Sequence, residues 1–485
     1  MKKILSLLLL IVYSLPFNVM AGLDIALPEM GDSAGAYISP EEEYQIGQAY
    51  FWNLQQSVDL IEDPEINSYI ESLGYRLVGN SDSPHLRFTF FMVPDASVNA
   101  FATPGGFIGT HSGLVLTSQS EDELASVLSH EIAHITQRHL LRSYERSQNM
   151  DIPMTVAMIA AALLGVADPQ AGLAAVMAVQ AGGTQGQIDF IRANEKEADN
   201  IGMLTLVRSG FDAQAMPTFF ERLQYEGRFY TGNAVPEFLR THPVTTNRIA
   251  EARGRAVSYP LLPQNRDTLL FYLMRERLRV MMAEDVHDLV REYEEVIISG
   301  RSLNITASQY GYSLALAATG KHIHAKKVLQ GLIEQDKDRL TYQLALAKVE
   351  VSLGDLSTAL KIYKTNQELY PDDQALTLNQ VKALLKAHLP KEADKLLNRQ
   401  IELGLRSPQL YKLLSQATAD MGERSQSHQW LAEYYYVSGH LTLAADQLHS
   451  AMKSAGHNEY QLAKISARLN QIETIIARIE ALRNG

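Results

Sequence analysis

A chain of 485 residues is too long for one ordinary core, so two or three domains are expected. Its 46% apolar and 20% charged residues are those of a soluble globular protein, and its net charge of −12 argues against nucleic-acid binding, which normally uses a basic face. The complete lack of cysteine excludes disulfides, a cysteine protease and thiol redox chemistry.

The first 21 residues, MKKILSLLLLIVYSLPFNVMA, carry Lys2 and Lys3, an apolar run from Ile4 to Val12, and then Val19-Met20-Ala21. This is the pattern of an export signal cleaved after Ala21, and with the lack of cysteine it is compatible with a bacterial periplasm. Ser14, Pro16 and Asn18 interrupt the run, which is too short for a span of about 20 apolar residues.

Residues 22–40 read as an extended lead-in. Helical periodicity follows over 41–80, as in Ile66, Tyr69, Ile70, Leu73 and Leu77. HLRFTFFMV (85–93) is aromatic and reads as a strand, and 97–115 reads as a hairpin turning at Pro104-Gly105-Gly106. Ser120-x-x-Glu123 matches a capping box and opens a helix through Leu124, Val127, Leu128, Ile132 and Ile135. SHEIAHITQRH (129–139) lies on that helix.

Residues 154–167 and 171–183 are apolar and rich in alanine, separated by Asp168-Pro169. Each is too short to span a bilayer. They read either as two buried helices or as a surface segment, 154–181, in peripheral contact with membrane or client protein. A second strong helix covers 188–210 and ends at Gly210, and helical segments continue to 256. Tyr259-Pro260-Leu261-Leu262-Pro263 marks a boundary in 257–264.

Beyond it the chain repeats. Gly320 and Ala325 are followed 34 residues later by Gly354 and Ala359, then by His388 and Ala393, with Gly439 and Ala444 a later copy. A period of 34, with small residues at the tight contact of two antiparallel helices, is the tetratricopeptide signature. Such arrays stack into superhelices that bind peptides or proteins. The expected fold is therefore mainly α with a small β-sheet. An α+β domain at 22–264 precedes an all-α tetratricopeptide solenoid at 265–485.

The chemistry sits in His130-Glu131-x-x-His134. Four residues apart on a helix, the two histidines share a face and can reach one ion. Glu131 projects about 100° from His130, placed to act on water rather than to ligate. A third ligand must come from elsewhere. NEKEAD (194–199) offers Glu195 and Asp199 on one face, while Glu197 points to the other side.

HEIAH followed by Glu195-x-x-x-Asp199 resembles the gluzincin metalloproteases, the family that contains HtpX and the Ste-type CAAX proteases. With the export signal, the Ala-rich insert and the repeats, the resemblance covers essentially the whole chain. It implies one Zn2+ per chain, held by His130, His134 and Glu195, with Asp199 orienting a histidine. It implies an edge strand at Asn99-Ala100-Phe101-Ala102 that holds substrate by backbone pairing. In THPVTTNR (241–248) it sets His242 and Arg248 near the metal. His242 would fill the open position as a fourth ligand in a resting enzyme. Arg248, and His242 once displaced, would stabilise the oxyanion. Membrane members of the family have spanning helices between the two motifs, and this chain has only the short insert.

The function implied is a periplasmic zinc endopeptidase that assists assembly and quality control of outer-membrane β-barrel proteins and degrades misfolded or stalled ones. Its partners would be unfolded or misassembled outer-membrane proteins, with the barrel assembly machinery recruited by the array. The alternative is a repeat-based chaperone or adaptor whose metal site is structural or held inactive. An intact Glu131 favours the enzyme, because a structural site needs no base.

Overall fold

The computed structural model describes residues 39–146, 185–227, 237–260 and 267–484. The export signal at 1–21, the insert at 154–181 and part of the 257–264 boundary lie outside the described residues. The first helices are α1 (Pro40–Ser57) and α2 (Pro64–Val78). Asp63 caps α2 by accepting from the amides of Glu65 and Ile66, and Pro64 sits at the first turn, where no amide is needed. The periodic face of α2, Ile66, Tyr69, Ile70, Leu73 and Leu77, is buried as expected.

Strand β1 (Thr89–Val93) pairs in parallel with β3 (Phe107–His111), and β2 (Ala100–Thr103) pairs antiparallel on the other side of β3. The order β1-β3-β2 leaves β2 at an edge. The β2–β3 turn is the expected Pro104–Gly106, where a Cβ on Gly106 would fall 1.9 Å from the carbonyl oxygen of Arg87. The expected hairpin over 97–115 ends early, because Ser112–Thr117 forms the short helix α3. The Ser112 hydroxyl and the Gly113 amide both donate to the Asp95 carbonyl, at 2.7 and 2.8 Å, and draw the chain out of the sheet.

Helix α4 (Glu121–Thr136) opens on the capping serine, with Ser120 Oγ accepting from the Glu123 amide at 3.3 Å. Helices α5 (His139–Arg146), α6 (Gln185–Arg208), α7 (Ala215–Gly227), α8 (Glu237–Thr241) and α9 (Thr246–Ala256) follow. Helix α6 packs along α4. Gly202 makes the close approach possible, since a Cβ there would lie 3.0 Å from His130 Cα.

The array begins with the pairs α10 (Leu269–Met281) and α11 (Val286–Ser299), then α12 (Ile305–Ala318) and α13 (His322–Gln335). It continues with α14 (Leu340–Leu353) and α15 (Leu356–Leu369), then α16 (Gln374–Lys386) and α17 (Pro390–Glu402). The last pairs are α18 (Pro408–Asp420) and α19 (Arg424–Val437), then α20 (Leu441–Ser454) and α21 (Glu459–Asn484). The repeat's two marker residues prove to have separate jobs. Ala325, Ala359, Ala393 and Ala444 are fully buried at helix contacts. Gly320, Gly354 and Gly439 instead turn the chain between helices with φ of 79°, 86° and 77°, and His388 takes the same left-handed conformation at 58°. At Gly320 and Gly354 nothing lies within 4 Å of an added Cβ, so backbone conformation, not tight contact, selects glycine there.

One apolar core runs from Ile61 through α2, α4 and α7 and on to Val349 in α14. The first repeats are thus built on the same core as the HEIAH helix. Later repeats also reach the N-terminal helices. Helix α16 packs on α2, and the Gln56 side chain donates to the Gly439 carbonyl at 3.0 Å. No helix among the described residues is long and apolar enough to cross a membrane.

Candidate metal centre

Helix α4 carries His130 and His134 one turn apart, with their Nε2 atoms 3.0 Å from each other. Glu195 enters from α6, 3.5 Å from His130 Nε2 and 3.4 Å from His134 Nε2. His242 follows α8, and its Nδ1 lies 3.1 Å from both Glu195 oxygens and 3.3 Å from His130 Nε2. One ligand atom from each of these four residues falls within 4.8 Å of the others. Bonds of about 2.0–2.1 Å to a tetrahedral cation set ligand atoms roughly 3.3–3.4 Å apart. The spacing and the donor set of three imidazoles and a carboxylate therefore fit a divalent metal ion.

A second layer holds these ligands. His130 Nδ1 approaches Asp199 Oδ1 to 3.1 Å. Arg248 grips Asp199 from Nε and Nη2, each at 2.8 Å, and its Nη1 lies 2.9 Å from Glu195 Oε2 and 3.0 Å from the Pro243 carbonyl. Burial lowers the His134 imidazole, with the neighbouring His130 and His242 adding to the effect, to about 3. Burial would also lower His130, but Asp199 and Glu195 outweigh it and lift that ring to about 9. Burial would raise Glu195, yet His242 and the other two histidines hold it well below the usual carboxylate range. An anionic Glu195 facing a neutral His134 is the state in which both can ligate, whereas His130 must give up a proton to do so.

Glu131 stands beside this cluster. Its Oε1 is 3.5 Å from His242 Nε2, and its carboxylate accepts the Ala102 amide of the edge strand. Burial raises its pKa. Of the expected strand residues, Ala100, Phe101 and Ala102 lie in β2, while Asn99 precedes it and accepts the His111 amide at 3.0 Å.

Residues 64–256 match Peptidase family M48. The chain is 36% identical to the β-barrel assembly-enhancing protease of Escherichia coli (strain K12), over 94% of this chain and 92% of that protein. The chain belongs to this protease family. A putative β-barrel assembly-enhancing protease of Vibrio cholerae is 35% identical over 92% of each chain. Mitochondrial metalloendopeptidase OMA1 of Schizosaccharomyces pombe is 31% identical over 37% of this chain and half of its own.

For a metalloprotease of family M48, the sequence reading of the centre leaves two differences. Arg248 was expected near the metal as an oxyanion donor. Its donors are engaged by Asp199, Glu195 and the Pro243 carbonyl. His139 was not singled out at all. Its Nδ1 lies 2.9 Å from His134 Nδ1, and its Nε2 lies 3.1 Å from Glu197 Oε2. The signal was present in the sequence, since the motif extends as HEIAHITQRH with a third histidine at 139. Glu197 points off the metal cluster, as its helical phase requires, but ends on this histidine.

Proposed function

We propose that the chain is a periplasmic zinc endopeptidase that clears misfolded or stalled outer-membrane β-barrel proteins and so assists their assembly. Residues 22–264 form the protease module, and the repeat module at 265–485 recruits unfolded clients or the barrel assembly machinery. The carrying observation is the place of Glu131, buried beside the ligand cluster and hydrogen-bonded to the Ala102 amide of the edge strand rather than to His130, His134 or Glu195. That is the position of a base acting on substrate water, and a purely structural site has no use for it.

His130, His134 and Glu195 would hold one Zn2+, which supplies Lewis-acid polarisation of the scissile carbonyl and activation of water. Glu131 takes the proton from the attacking water and delivers it to the leaving amine. Its raised pKa, caused by burial, suits both halves of that transfer. Asn99, Ala100, Phe101 and Ala102 present the edge along which an extended substrate pairs. Asp199, clamped by Arg248, fixes the His130 ring. His242 would be a further ligand at rest and, once displaced, would steady the oxyanion with its ring.

The seat of His242 in the cluster also favours a second reading, an adaptor whose metal site is kept silent. The deciding experiment incubates an unfolded outer-membrane barrel protein with the full chain, either zinc-loaded or stripped. Zinc-dependent cleavage that Glu131→Gln abolishes supports the protease. Suppressed aggregation without cleavage, even with His242→Ala, supports the adaptor.

A further inference from the structure

His134 presents Nε2 to Glu195 and His130, and Nδ1 to His139. The two facing Nδ1 atoms are 2.9 Å apart, so one hydrogen lies between them and its owner must be decided. Glu197 decides it. Its Oε2 is 3.1 Å from His139 Nε2 and 3.0 Å from Arg142 Nη1. An ionised carboxylate can only accept, so the proton of a neutral His139 sits on Nε2 and its Nδ1 is bare. His134 must then donate from Nδ1, which leaves its Nε2 lone pair aimed at the cluster.

We propose that His139, set by Glu197 and Arg142, is a positioning residue that fixes His134 in the one tautomer able to bind the metal. The inference rests on the metal site proposed above. It gives the two histidines of HEIAH matching supports. His130 leans on Asp199 and Arg248, and His134 on His139, Glu197 and Arg142.

The test measures zinc affinity of the full chain by chelator competition and the visible absorption of its cobalt(II) form. Folding of the stripped proteins is followed by circular dichroism. His139→Leu removes the acceptor and should weaken zinc by about 10–100-fold and alter the cobalt bands. His139→Gln should restore most of the affinity, because its amide oxygen can accept from His134 while its NH2 donates to Glu197. Glu197→Met, at a half-exposed side chain, frees His139 to carry its proton on the wrong nitrogen and should also weaken zinc. Should His139→Leu fail to fold, the other two variants decide. Wild-type zinc affinity in His139→Leu or Glu197→Met would overturn the proposal, as would equal losses in His139→Leu and His139→Gln. A wild-type chain that takes up no zinc would instead sink the metal site itself.

Discussion

Arg277 of α10 donates from Nε and Nη2 to the two carboxylate oxygens of Asp63, at 2.9 and 2.6 Å. Asp63 is also the cap of α2, so one repeat-array side chain clamps the start of a protease helix. The same guanidinium reaches Glu65 at 3.0 Å and Tyr310 at 3.1 Å, and Lys348 of α14 joins Glu65 at 2.8 Å. Arg277, Glu65 and Tyr310 are buried and Asp63 nearly so, while Lys348 is partly exposed. Arg277→Met would leave Asp63 without its guanidinium partner, and we expect a loss of about 3–5 kcal/mol in chemical denaturation of the full chain.

The same pair predicts a pH dependence. Burial would raise the Asp63 carboxyl, but the charge and hydrogen bonds of Arg277 overcome it and hold the group well below its ordinary value. A depressed folded-state pKa contributes stability above the unfolded value of about 3.9, and that contribution fades as pH falls toward the folded value. The stability gap between wild type and Asp63→Asn should therefore be full at neutral pH and shrink below about pH 4. A gap that widened in acid would contradict the assignment.

Glu131→Gln should abolish proteolysis while leaving zinc bound, since the ligands stand without it. Metal content and cleavage are read on the same sample. Retained cleavage would remove Glu131 as the base.

Much of this was legible in the sequence because it depends on local spacing. The pair His130 and His134 follows from four residues on a helix, and the Gly-to-Ala interval of the repeats follows from the turn and the contact each copy must make. Contacts made across the fold were not legible. Nothing near Arg277 or Asp63 in sequence announces that they meet 214 residues apart. His139 was hidden differently. Arg138 takes a positive φ of 50° just after α4 ends, and this break, not helical phase, brings His139 back onto His134. The resemblance set Arg248 near the metal as an oxyanion donor, but a linear motif cannot say which carboxylates its guanidinium engages.

That placement of Arg248 has a measurable consequence. A residue holding Asp199 and Glu195 acts on metal binding before catalysis. Arg248→Met should weaken zinc by about 10–100-fold, and excess zinc should recover much of the cleavage rate. An oxyanion donor would behave in the opposite way, with zinc bound normally and the rate lost at every zinc concentration.

His242 is tied to the substrate edge as well as to the metal cluster. The Phe238 amide of α8 donates to the Val98 carbonyl at 3.1 Å, just ahead of β2. The Phe238 ring stacks on His242 at 4.9 Å, and the His242 amide donates back to the Phe238 carbonyl at 2.7 Å. Pro243 follows, which biases His242 away from helical geometry and ends the helix at it. The ring thus follows a short five-residue helix anchored to Val98, just ahead of the edge strand along which the proposed substrate pairs. A substrate pairing beside Val98 would compete with the Phe238 amide, and loss of that bond would loosen the segment that seats His242. His242→Ala should raise basal cleavage of an unfolded substrate several-fold and leave one zinc per chain, because His130, His134 and Glu195 remain. Phe238→Ala should raise it in the same direction by unseating the ring. If both variants lower the rate with zinc still bound, His242 acts in the transition state instead of closing the site. If neither changes the rate, the histidine is a turn residue whose closeness to the metal cluster has no catalytic consequence.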